Sequence, residues 1–116
     1  MVKKFPLLIL FFFNFLFSQT EKEDTYNINK ITEFTNIDND SLLYYANLLK
    51  NSRVSSNFYL AINMEAKAYY QKGNLKLAEE KVLYVLEKLK NNNDLPSKKN
   101  KIASLNRLFW IYKNQN

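Results

Sequence analysis

The chain has 116 residues, enough for one small domain, with 47% hydrophobic residues and a formal net charge of +6. It holds no His and no Cys, which removes thiol nucleophiles, His acid–base chemistry, Ser-His-Asp triads, the usual zinc sites, disulfides and a lipid-modified cysteine anchor. One Gly and two Pro are too few for the turns of a β-rich fold, so the composition points to long helices joined by polar loops.

The chain opens on "MVKKFPLLILFFFNFLFSQTEKED". Lys3 and Lys4 form a basic start, and Leu7 to Phe17 is an apolar run broken only by Asn14. Small Ser18 precedes a charged stretch from Glu21. This is the layout of a secretory signal peptide over residues 1–18, with cleavage after Ser18. The run is short for a membrane span, which needs ~20 residues. Export to the periplasm, the cell surface or the medium follows, and the membrane is a partner only if this segment stays uncleaved. Residues 19–25 read as a polar linker, and 26–116 as the folded domain.

Helical patterns follow in order. A weak stripe of Ile28, Ile31 and Phe34 lies between Tyr26 and Asn36. After "NIDND", Asp40 or Ser41 can cap a second helix, whose Leu42, Tyr45, Ala46 and Leu49 share a face. In the third, from about Ser56 to Lys72, Phe58, Ile62, Ala66 and Tyr69 form a stripe with Ala61 beside it. The fourth, Leu75 to Lys90, has Leu75, Ala78, Val82, Val85, Leu86 and Leu89 at spacings of three and four, the strongest amphipathic signal in the chain. "NNNDLPSKKN" then reads as a long polar loop from Asn91 to Asn100. A last pattern has Ile102, Leu105, Phe109 and Tyr112 on its stripe, widened by Leu108, Trp110 and Ile111. These patterns predict an all-α fold of antiparallel helical hairpins, about four helices plus an N-terminal signal helix.

The only glycine, Gly73, sits between the third and fourth patterns in "YYQKGNLKLAEE". A helix commonly ends at a residue in the left-handed conformation, which glycine adopts without a Cβ penalty. With Asn74 starting the next helix, the two must pack antiparallel.

From Tyr59 to Lys90 the sequence resembles the tetratricopeptide repeat family, a 34-residue helix–turn–helix. Ala66 matches the small position where the two helices approach, Tyr69 the large position before the bend, and Ala78 the small position early in the second helix. Ile62 stands where the family prefers Trp and Val82 where an aromatic is usual; Glu65 replaces the usual Leu and Lys90 the usual Pro. "SLNRLFWIYKNQN" resembles the first helix of a following repeat, and Asp40 to Ser52 the second helix of a preceding one. The resemblance implies an α-α solenoid that binds a protein or peptide without catalysis. Its groove would be lined by Leu60, Asn63, Lys67 and Tyr70 from one repeat and by Asn106, Trp110 and Lys113 from the next. Amides and ammonium groups of this kind bind backbone carbonyls or a terminal carboxylate. Similar exported chains, found in Bacteroidetes-type bacteria, often form the sensory half of transcriptional regulators or histidine kinases. That gives the alternative reading, a sensory part without its output domain.

No catalytic, cofactor or metal site is expected. Glu79 and Glu80 are neighbours in sequence, and adjacent helical residues do not face each other. Glu21 to Glu87 carries ten acids and eight bases, whereas Lys88 to Asn116 carries seven bases and one acid. The basic end reads as a solvated, lysine-rich face, and export argues against nucleic acid. Leu108 to Tyr112 is five apolar or aromatic residues in a row, too many for one buried stripe. Self-association through the Trp110 region is therefore expected.

Overall fold

The computed structural model describes residues 20–115; the expected signal segment lies outside them. Five helices follow one another: α1 (Glu21–Phe34), α2 (Asn39–Leu49), α3 (Ser55–Gln71), α4 (Leu75–Leu89) and α5 (Leu95–Gln115). No strand occurs among the described residues. Each helix packs on the next in the chain, and α3 also packs on α5. Long-range bonds give the directions. Asp24 at the start of α1 meets Ser52 and Asn57 at the start of α3, while Asn36 after α1 meets Gln71 at the end of α3. Ser56, Asn63 and Tyr70 pair in rising order with Asn100, Ser104 and Asn114. So α1, α3 and α5 run one way, and α2 and α4 return.

Capping fixes most of the boundaries, and it moves several of those read from the sequence. α1 begins before Tyr26, because the Thr20 hydroxyl accepts from the Glu23 amide at 3.1 Å and three acids sit in its first turn. The weak apolar stripe is weak because Asp24 and Asn27 share its buried side with Ile31. α2 is capped by Asp38, not by Asp40 or Ser41: its carboxylate accepts from both of their amides and from the Ser41 hydroxyl at 2.9 Å. The expected loop from Asn91 to Asn100 is helical from Leu95. Asp94 accepts from the Ser97 amide at 3.1 Å and from its hydroxyl, and Pro96 falls in the first turn, where its missing N–H is no loss.

The hydroxyl of Ser41 on Asp38, and that of Ser97 on Asp94, hold both carboxyls below the usual aspartate range, with the same residues' amides adding to the effect. Each cap is therefore intact above 3.8 and is lost as the pH falls through its lower folded value.

Gly73 sits at φ +86°. Its amide donates to Tyr70 O at 3.0 Å and the Asn74 amide to Tyr69 O at 2.9 Å, the paired bonds that close a helix through a left-handed residue. A second such residue occurs where the sequence suggested no tight reversal: Asn36, at φ 67°, turns α1 into α2.

The core lies in three clusters, and α3 contributes to all of them. Ala61 and Ala68 join Ile31, Leu42, Ala46 and Leu49; Ala66 joins Ala78, Val82 and Ile111; Ile62 joins Val85 and Leu89. The inner faces expected of α2, α3 and α4 match this. α5 does not. Its packed side is Ser97, Asn100, Ser104 and Ile111, with Leu108 half-buried, while Ile102, Leu105, Phe109 and Tyr112 of the expected stripe face solvent. Small polar residues let α5 lie close against α3, and the large apolar ones are left outside.

Two sets of variants test the α3–α4 hairpin in urea unfolding. A Cβ at Gly73 would meet nothing within 4 Å, so only the backbone conformation resists substitution. Gly73→Asn should be nearly neutral, as at Asn36, Gly73→Ala should cost about 1 kcal/mol, and Gly73→Val more. Ala78 is fully buried between helices, so Ala78→Leu should cost about 1–3 kcal/mol by overpacking. Equal stabilities across either set would show that the hairpin is not packed this way.

Candidate functional site

The structure separates the residues the sequence singled out into three kinds, and of those on α3 only Asn63, Lys67 and Tyr70 lie on the side that meets α5. Leu60 is half-buried against the α1–α2 cluster with Met64. Asn63 is 4% exposed and committed to α5: its amide nitrogen donates to Asn100 O at 3.1 Å and its oxygen accepts from the Ser104 hydroxyl at 2.6 Å. Asn100 in turn donates to Ser56 O at 3.1 Å. These bonds build a polar seam inside the molecule, so Asn63 has no free face to offer a partner.

Lys67 and Tyr70, one turn further along α3, stay partly open. There they meet a residue the sequence reading missed, Arg107 of α5. The Arg107 guanidinium lies 5.2 Å from the centre of the Tyr70 ring, and Asn114 donates to the Tyr70 hydroxyl. Burial weakens the hold of Lys67 on its proton, and the nearby positive charge of Arg107 weakens it further. Burial also lowers Arg107, partly offset by Tyr70. No ion pair with a carboxylate involves Lys67 or Arg107 among the described residues. The signal for Arg107 was its place three residues before Trp110, on the same side of the helix as an expected groove residue.

The remaining expected residues form the outer part of this face. Trp110 and Lys113 lie together, the ammonium 5.0 Å from the indole centre, with the Phe109 ring edge-on to the indole at 5.3 Å. Asn106 is exposed beside them in sequence. The face thus offers cations and π-systems and no acid of its own on α5.

A second concavity, of about 530 Å³, opens on another side between α2, α3 and α4. Phe58, Ile62, Leu77 and Tyr84 supply apolar wall and Glu65 lies at its base. The Glu65 side chain is 7% exposed and pairs with Lys50 at 3.1 Å and with Lys81 at 3.4 Å. One buried carboxylate therefore ties α2 and α4 to α3. This accounts for a buried acid on α3, and with Glu80 also in its wall the cleft holds two acids and two bases. Among the described residues no group of His, Cys, Asp or Glu could hold a metal ion.

The chain was compared with protein-family models, with curated proteins and with solved structures, and none of the three gave a match.

Removing both lysines strands a buried charge, whereas removing the acid leaves two ammonium groups that can reach water. Lys50→Ala with Lys81→Ala should therefore cost about 3 kcal/mol, and Glu65→Leu less than about 1 kcal/mol, in urea unfolding at neutral pH. A costly Glu65→Leu beside a harmless double lysine variant would show that the carboxylate is not held as described.

Proposed function

We propose that the chain is a non-catalytic, exported, tetratricopeptide-like module that binds an acidic peptide or protein segment on the face formed by α3 and α5. The observation that carries this reading is the pair Lys67 and Arg107. Two like charges, both partly desolvated and neither neutralised by a carboxylate, raise the energy of the folded chain. A carboxylate from outside removes that penalty, so an acidic ligand gains more here than at ordinary surface lysines. Tyr70, Arg107 and Trp110 add flat surfaces for the ligand's backbone and side chains. The alternation of helices, with α3 and α5 parallel and in contact, supports a solenoid in which every second helix lines one face. The basic and apolar start, Lys3 to Phe17, supports export.

The sign of the effect on stability distinguishes a binding pair from a structural one. The folded chain holds the Lys67 proton less tightly than the unfolded chain, so the penalty is full below its folded value and vanishes above 10.5. Lys67→Ala should therefore leave stability at neutral pH unchanged or raised. With Trp110 emission as reporter, the full chain should bind a short glutamate-rich peptide with a free C-terminus, and a lysine-rich peptide of equal length should not bind. Lys67→Ala with Arg107→Ala should weaken the acidic peptide at least about 10-fold. Equal binding of both peptides, or an unchanged affinity in the double variant, would remove this assignment.

A further inference from the structure

Among the described residues, half of the exposed large hydrophobic side chains lie on α5. Leu95, Ile102, Leu105, Phe109 and Tyr112 are 45–66% exposed. At spacings of three, four and seven they form one line, directly opposite the side held by Asn100, Ser104 and Ile111. The line runs for about 26 Å at the usual rise per residue. Lys98 sits within it, and Lys101 and Lys113 flank it on either edge. The whole helix carries five cations, Lys98, Lys99, Lys101, Arg107 and Lys113, and no acid. Trp110 stands at its margin, 40% exposed.

We infer that this outer face of α5 is a docking surface for an anionic lipid bilayer, on which the helix lies flat in the headgroup region. An apolar line sided by lysines, with Phe, Tyr and Trp along it, is the combination that partitions into a membrane interface. The aromatic rings sit at headgroup depth, and the lysine stems lie along the apolar line while their ammonium groups reach lipid phosphates. Charge decides the occupant. A second copy applied through the same face would set one all-basic helix against another, which is repulsive. An anionic bilayer complements the cations and takes up the apolar line at once. Among the described residues no helix is long and apolar enough to cross a membrane, so the contact is a surface one. This surface is distinct from the Lys67–Arg107 pair, which lies where α5 meets α3.

Trp110 is the only tryptophan and reports on this helix directly. The full chain is mixed with phosphatidylcholine vesicles with and without phosphatidylglycerol. With the anionic lipid, Trp110 emission should shift to the blue and be quenched by lipids brominated near the headgroup end of the acyl chain, and added salt should reverse both. The double variant Lys98→Glu, Lys113→Glu should partition at least about 10-fold more weakly, as should Leu105→Ser with Phe109→Ser. All four side chains are exposed, so both variants should unfold in urea like the parent, and the salt dependence of the parent gives the same reading without any substitution. Both variants keep residues 1–19, so a loss of binding is assigned to α5. Vesicle binding that survives both sets of changes, Trp110 emission indifferent to anionic lipid, or a stable dimer that shields Trp110 from aqueous quencher and from vesicles alike would each overturn the proposal.

Discussion

Helix α3 is surrounded, and the rest of the architecture follows from that. Between Ala61 and Ala68 only Met64 and Lys67 keep appreciable exposure. A helix buried on nearly all sides needs small residues where its neighbours come close, and Ala61, Ala66 and Ala68 supply them. It also carries two buried polar side chains, Asn63 and Glu65, which cannot remain without partners. Asn63 takes its partners from α5; Glu65 takes one from α2 and one from α4. Three helices are thus positioned by the polar needs of one, and the apolar clusters fill in around them.

Most of the fold was legible in the sequence, because the buried faces of α2, α3 and α4 are apolar and periodic. Leu42, Ala46 and Leu49, then Ala61, Ile62 and Ala66, then Ala78, Val82, Val85 and Leu89 are all buried as their spacing suggested. The single glycine marked the α3–α4 reversal for a reason that holds in the structure, a positive φ. α5 was legible as a helix but not in its orientation. Hydrophobic spacing selects the side with the most apolar area, and here that side is Ile102, Leu105, Phe109 and Tyr112. The side that packs is chosen instead by hydrogen bonds between Asn63, Asn100 and Ser104, whose side chains give no hydrophobic signal. The same blind spot hid Arg107: its importance comes from α3, 37 to 40 positions away in the chain, through Tyr70 and Lys67.

Acids and lysines that serve the fold are paired: Glu65 between two ammonium groups, Asp40 with Lys72 at 2.5 Å, Glu33 with Lys30 at 3.2 Å. The cations of α5 and Lys67 form no close ion pair with a carboxylate among the described residues, and they gather at one end of the helix array. A surplus of one sign there lengthens the reach over which an anionic partner is attracted, an effect that fades with ionic strength.

The seam between α3 and α5 also settles a question that hydrophobic packing leaves open, namely which rung of one helix lies against which rung of the other. Oily surfaces slide past each other at little cost, and a slip of one turn would still bury hydrocarbon. Here such a slip would bring Leu108 to the place of Ser104, opposite the Asn63 oxygen, and carry the Asn100 side chain away from the Ser56 carbonyl. The buried Asn63 oxygen would lose its donor. The seam acts as a key cut for one alignment, trading some apolar burial for a single way of seating the last helix.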